Sequence, residues 1–235
     1  YSANEFAAED LPATIDTVLD KTGKTKMQYI GWSQGGMAMF ALLSEKPEYN
    51  AKVGCTISPR GAMLPGPRCA PLENRNLKTR RICAVFQKAV KCFGCLLLFC
   101  NLLFFFKTRL PVYLSHDPAG TSTNDVKHLI QLIQCNCFRK FDYGLITNLA
   151  KYGKVSTPPD YELSRTQIPV ALYWSKGDQF VPEEDVARLR KELPNVVEYY
   201  QVPDEQFTHL DYGWGINAEP VVYRKMMSVM ENYRT

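Results

Sequence analysis

Residues 27–46, MQYIGWSQGGMAMFALLSEK, run from a short apolar strand straight into an apolar helix through Gly31-Trp32-Ser33-Gln34-Gly35. No other stretch restricts the fold so strongly. A strand that becomes a helix within a few residues lays that helix back across its own sheet, the layering of parallel α/β proteins. The glycines on either side of Ser33 let the backbone turn tightly and let strand and helix approach closely. A serine on such a turn is held in a strained conformation at the top of the sheet. It faces a helix N-terminus whose free N–H groups favour negative charge. The pattern alone is common, and a serine before a helix is also an ordinary N-cap. The rest of the chain decides between nucleophile and cap.

Strand and helix patterns alternate along that chain. EDLPATIDTVLDKTG reads as a helix, with Pro12 in its first turn and Gly23 at its end. KVGCTIS (52–58), IPVALYWS (168–175) and VVEYYQV (196–202) read as further strands. DVKHLIQLIQ (125–134), PEEDVARLRKEL (182–193) and AEPVVYRKMMSVMENY (218–233) read as helices. The four strands fall two on each side of a long interruption. The spacing predicts core segments at 1–58 and 166–235, with an insertion over 59–165 that caps one end of a mostly parallel sheet. Within it, residues 59–81 are loop-like and 82–106 apolar and rich in cysteine.

Composition narrows the classes. A chain of 235 residues, 46% apolar, can bury a core without staples. The net charge of +4 is uneven: 52–109 carries +10, leaving −6 elsewhere. That basic block is interleaved with prolines and an apolar run and holds no nucleic-acid motif, so nucleic acid is not an expected partner. The run CFGCLLLFCNLLFFF (92–106), closed on both sides by lysines, falls short of the roughly 20 residues of a spanning helix. It reads as a buried or lipid-facing segment. The eight cysteines include Cys92/Cys95 and Cys135/Cys137, with no histidine at ligand spacing, so no metal or other cofactor is expected. The opening YSANEFAAED has neither an initiator Met nor a leader pattern, and reads as internal to a longer protein.

A serine at its free pKa needs a base. Of the three histidines, His128 lies mid-helix and His116 in the inserted block, whereas His209, in EQFTHLDYG, directly follows the last strand. That is the place of the base in the chain order Ser…Asp…His. Asp178, in YWSKGDQFVP, lies just beyond the strand 168–175, at the end that faces the ligand crevice of a parallel sheet. It suits the third role, orienting the imidazole; Asp204 is the nearby alternative, and Asp178 is also an ordinary turn residue after Gly177. The backbone N–H of Gln34 suits one oxyanion donor. The second normally comes from a loop upstream of the nucleophile, and no such loop is found in the 32 residues before Ser33.

With these residues in place, the chain resembles the acid lipase family of α/β-hydrolases, the gastric and lysosomal acid lipase type. EDLPATIDTVLDKTGKTKMQYIGWSQGG is similar to the family's helix, strand and nucleophile elbow. TRLPVYLSHDPAGTS and KFDYG are similar to its return from cap to core, and IPVALYWSKGDQFVPEEDV and FTHLDYGWGINAEPVVY to its acid and histidine blocks. The resemblance implies an α/β-hydrolase fold whose early strands are missing, with a helical cap, and a Ser33–His209–Asp178 triad. It implies hydrolysis of neutral lipid esters at an interface, with peripheral contact to membrane or lipid droplet, in a lysosomal or secreted setting. It also implies a cap disulfide between Cys83 and Cys92, with Cys100 free. The chain departs from the family pattern at Trp32, where histidine is usual, and in lacking an Asn-x-Ser/Thr sequon. Cys55, Cys69, Cys95, Cys135 and Cys137 have no family role. Two other readings stand beside the lipase: a short-chain esterase on the same triad, separable by chain-length profiling, and a lipid- or partner-binding remnant, separable by a serine-directed fluorophosphonate.

Overall fold

A computed structural model describes residues 1–59, 110–116, 119–153, 156–178 and 180–234. Four strands, β1 (Met27–Ile30), β2 (Val53–Pro59), β3 (Val170–Trp174) and β4 (Val196–Gln201), form one sheet in the order β1-β2-β3-β4. All three pairings are parallel. The long interruption between β2 and β3 therefore leaves them as neighbours, in register from Thr56 opposite Val170 to Pro59 opposite Tyr173.

β3 explains why the sheet has two cores. All five of its residues are buried, as expected of a parallel strand covered on both faces. Side chains alternate along a strand. Val170, Leu172 and Trp174 pack on one side with the helices α2 (Leu11–Thr22), α3 (Gln34–Glu45), α5 (Thr123–Cys135) and α7 (Glu183–Glu192). Ala171 and Tyr173 pack on the other with Cys55, Ile57, α8 (Asp211–Trp214) and α9 (Arg224–Asn232). The helix after the elbow, α3, is buried continuously from Gly36 to Ser44, as its all-round apolar sequence requires.

The first helix starts earlier than its apolar spacing suggests. Helical structure begins at α1 (Ala3–Glu5) and passes through a π-helical turn, Phe6–Asp10, into α2. Ser2 starts it with a capping box: its hydroxyl accepts from the Asn4 amide, and Glu5 accepts from the Ser2 amide. Pro12 and Gly23 lie where expected, Gly23 in the left-handed conformation. Of the inserted block, α4 (Leu110–His116), α5 and α6 (Leu145–Lys151) are described. Cys69, Cys83, Cys92, Cys95 and Cys100 lie outside the described residues, so the proposed cap pairing does too. Cys135 and Cys137 form a disulfide that ends α5, a pairing the spacing did not suggest. Cys55 is a free thiol, and burial pushes its pKa up to about 11. Among the described residues no helix is long and apolar enough to cross a membrane.

Candidate active site

The site is built at the carboxyl ends of β1, β3 and β4. The ladder of β1 continues one residue past the strand, where the Gly31 N–H donates to the Ile57 carbonyl at 2.9 Å. The chain then reverses. Ser33 stands at φ 57°, ψ −118°, outside the region side-chain-bearing residues favour, and α3 begins at Gln34. The glycines allow this. A Cβ on Gly31 would lie 2.7 Å from the Gly36 nitrogen, and one on Gly36 would lie 2.6 Å from the Ser58 hydroxyl. The Ser33 side chain makes no cap bond to the helix. Its Oγ instead lies 3.1 Å from Nε2 of His209.

His209 is held from behind. Its Nδ1 lies 3.1 and 3.0 Å from the two carboxylate oxygens of Asp178. Asp178 is buried, and its Oδ1 also accepts the amides of Phe180 and Val181, at 2.9 and 3.1 Å. The two readings of Asp178 thus coincide: it closes its own turn and holds the imidazole. The alternative, Asp204, is committed elsewhere. It accepts the Gln206 amide at 2.9 Å and the Asn217 side chain at 3.3 Å.

Several residues that sequence patterning did not single out bring these loops together. Ser175 donates to the Phe207 carbonyl at 2.7 Å, tying the end of β3 to the loop before His209. Gly177 lies under that loop so closely that a Cβ would meet the Glu205 and Phe207 carbonyls at 2.8 Å. Buried Asp211 accepts both the amide and the hydroxyl of Thr208 at 2.6 Å, fixing the residue before the histidine. The Phe180 ring lies 4.7 Å from the His209 ring. Ser175 precedes the motif KGD and Gly177 lies within it, and a glycine before a candidate acid was the one visible signal.

Trp32 also finds its place. Its ring lies 6.4 Å from His209 and covers Gly213, where a Cβ would meet the indole at 3.2 Å. The large side chain at 32 is matched by the absent one at 213. The other histidines are separate from the site. His116 is exposed on α4, and His128 is buried in α5, where its Nε2 donates to the Arg139 carbonyl at 2.9 Å. Among the described residues no cluster of His, Cys, Asp and Glu could hold a metal ion.

Chemically, the arrangement can move a proton from a serine hydroxyl to an imidazole and stabilise the cation that forms. The Gln34 N–H stands at the first position of α3, where a helix leaves its amides without intrahelical acceptors. It can donate to an oxygen that becomes negative beside Ser33.

No family model matches the chain. It is 32% identical to Lipase 3 of Drosophila melanogaster, over 97% of this chain and 66% of that protein. It is 31% identical to Lipase member N of Mus musculus, over 99% of this chain and 64% of the relative. With the gastric triacylglycerol lipase of Rattus norvegicus it shares 28%, over 98% and 64%. The chain thus spans less than two thirds of the length of the relatives it matches. Among solved structures, an esterase from Exiguobacterium antarcticum superposes with a TM-score of 0.57 at 15% identity, covering 98% of this chain and 74% of the other. A Paleococcus ferrophilus monoacylglycerol lipase superposes with a TM-score of 0.54, also at 15% identity, over 100% and 77%. These likenesses establish the α/β-hydrolase fold.

Proposed function

The chain belongs to the acid lipase family of α/β-hydrolases, and we propose that it forms the catalytic part of a serine ester hydrolase acting on neutral lipids. One observation carries the reading: the unbroken contact from Ser33 Oγ to His209 Nε2, and from His209 Nδ1 to buried Asp178. Ser33 Oγ attacks the ester carbonyl while His209 takes its proton at Nε2. Asp178 holds the imidazole in the required tautomer and stabilises the imidazolium. The Gln34 N–H donates to the oxyanion, and His209 returns the proton to the leaving alcohol. Water then hydrolyses the acyl-enzyme by the same route. The named activity of the gastric relative supports triacylglycerol as substrate class, and the resemblance extends this to cholesteryl esters and to a secreted or lysosomal setting.

The test is long-chain ester hydrolysis by the full-length protein, with Ser33→Ala alongside. Hydrolysis is expected to fall by about 10³-fold or more in the variant. Equal rates in the two proteins would overturn the assignment of Ser33. A marked preference for soluble short-chain esters over emulsified long-chain ones would overturn the substrate class and leave the triad standing.

A further inference from the structure

The Gln34 side chain is engaged in a contact that the reaction above does not use. Its Nε2 donates to Oδ1 of Asp125 at 2.6 Å, across 91 positions of sequence. Asp125 is 4% exposed and lies in the first turn of α5, on the inserted side of the chain. Its other oxygen accepts the Thr121 hydroxyl at 3.1 Å.

Local chemistry offers Asp125 a different job. Ser122 is the N-cap of α5, accepting from the Asn124 amide at 3.2 Å. In the sequence STND, an acid three residues after the cap suits the reciprocal half of a capping box. Asp125 directs its two oxygens to Gln34 and Thr121 instead. A buried carboxylate is costly unless its hydrogen bonds are made. Here charge-assisted bonds and the N-terminal end of a 13-residue helix supply the compensation.

The tether ends on the residue that most needs holding. Ser33 sits in a strained conformation, and strain of this kind persists only where the surroundings over-determine it. Gln34 follows it directly, and its own N–H is the proposed oxyanion donor. The first residue of a helix is held by few backbone bonds of its own, so a buried side-chain anchor restricts its pivoting. Oxyanion donors contribute through being oriented before the charge develops.

We infer that Asp125 is a positioning residue: through the Gln34 amide it pins the elbow, keeping the oxyanion-donating N–H aimed beside Ser33 and linking that aim to the seating of α5. The inference rests on the proposed ester hydrolase reading. It is tested in the full-length protein with Asp125→Ala, Asp125→Asn, Gln34→Met and the Asp125→Ala/Gln34→Met double variant. The readouts are kcat and KM on a soluble ester and the rate of fluorophosphonate labelling. Asp125→Ala is expected to lower kcat and the labelling rate by about tenfold or more, with KM within about twofold. Asp125→Asn, whose amide oxygen still accepts from Gln34, should return within about threefold of wild type. Gln34→Met should match Asp125→Ala, and the double variant should be no worse than the worse single one. Wild-type kcat in Asp125→Ala, equal losses in the Ala and Asn variants, or additive losses in the double variant would overturn the inference. If Asp125→Ala does not fold, Gln34→Met decides alone, and an unchanged kcat there is a refutation. Hydrolysis that survives Ser33→Ala overturns the underlying reading as well. Hydrolysis that depends on Ser33 and ignores Asp125 overturns this inference alone.

Discussion

At the scale of the residue, Ser33 joins local cost to proposed function. Its positive φ is the conformation glycine adopts readily and other residues adopt at a cost of roughly 1–3 kcal/mol. Part of that penalty is expected to return as stability in Ser33→Gly, less the extra chain entropy glycine loses on folding. The net gain should be about 1 kcal/mol. Denaturant unfolding should show a raised midpoint at constant slope, and fluorophosphonate labelling should vanish. An unchanged or lowered midpoint would mean that the turn is not strained at Ser33. Asp178 makes a second point at this scale. Its turn and its proposed triad role share one carboxylate: Oδ1 serves the turn amides while both oxygens face the imidazole.

At the scale of the element, the strand, elbow and α3 form a unit in which helix and strand meet without intervening side chains. The two glycines that permit this differ in what surrounds them. An added methyl on Gly31 meets backbone atoms, the Gly36 nitrogen at 2.7 Å and the Gly35 carbonyl carbon at 2.8 Å. One on Gly36 meets the Ser58 hydroxyl at 2.6 Å, a short side chain that can rotate away, and only one backbone atom, the Gly31 carbonyl oxygen, at a less severe 3.1 Å. Gly31→Ala is therefore expected to cost about 2–3 kcal/mol and Gly36→Ala about 1 kcal/mol, within the usual range for overpacking. Only the first should also slow hydrolysis severely, because it displaces the start of α3. Thermal unfolding and kcat of the two variants check the order; a reversed order would show that the elbow yields at β1 rather than at Ser58. This unit was legible in the sequence, because apolar periodicity and glycine placement are local signals. The tie from Gly177 and Ser175 to the loop before His209 was not. A glycine in KGD looks like any turn glycine until another segment lies across it.

At the scale of the whole molecule, titration couples distant segments. His128 lies in α5, facing Phe141, the Arg139 carbonyl and, at longer range, Asp125 and Glu5. Burial pushes its pKa below the ordinary 6.5, against the opposing pull of that hydrogen bond and those two acids. The folded state thus keeps His128 neutral where the unfolded chain takes up a proton. Its stabilising contribution is complete above about pH 6.5 and is lost as pH falls through the depressed folded value. Glu5 behaves in the same sense at lower pH. Burial works to raise its carboxyl, but hydrogen bonds from the Ser2 hydroxyl, the Tyr143 phenol and the Ser2 amide outweigh it and hold the pKa at about 2. Its contribution is complete above the ordinary 4.5 and fades between there and about 2. The melting temperature should therefore be flat from about pH 7 to about 8, fall below about 6.5, and fall more steeply below about 4.5. His128→Gln, which retains a donor for the Arg139 carbonyl, should flatten the first fall and leave the second. An unaltered first fall would assign it to other groups.

The same scale separates what the two kinds of information supplied. The sequence alone determined the parallel α/β order, the elbow around Ser33, and the placing of Asp178 and His209 just beyond strands. Periodicity, turn chemistry and strand order are properties of neighbouring residues. Tertiary structure alone decided that His209 takes Asp178 and leaves Asp204 to its own turn, that Trp32 rests on Gly213, and that Asp125 reaches Gln34 rather than its own cap. Those choices depend on which loops the packed sheet brings within about 3 Å of one another. Ser33 and His209 are 176 positions apart in the chain. Such a separation leaves no local pattern to read, and only the burial of β3 between two cores brings the ends of β1 and β4 to one place.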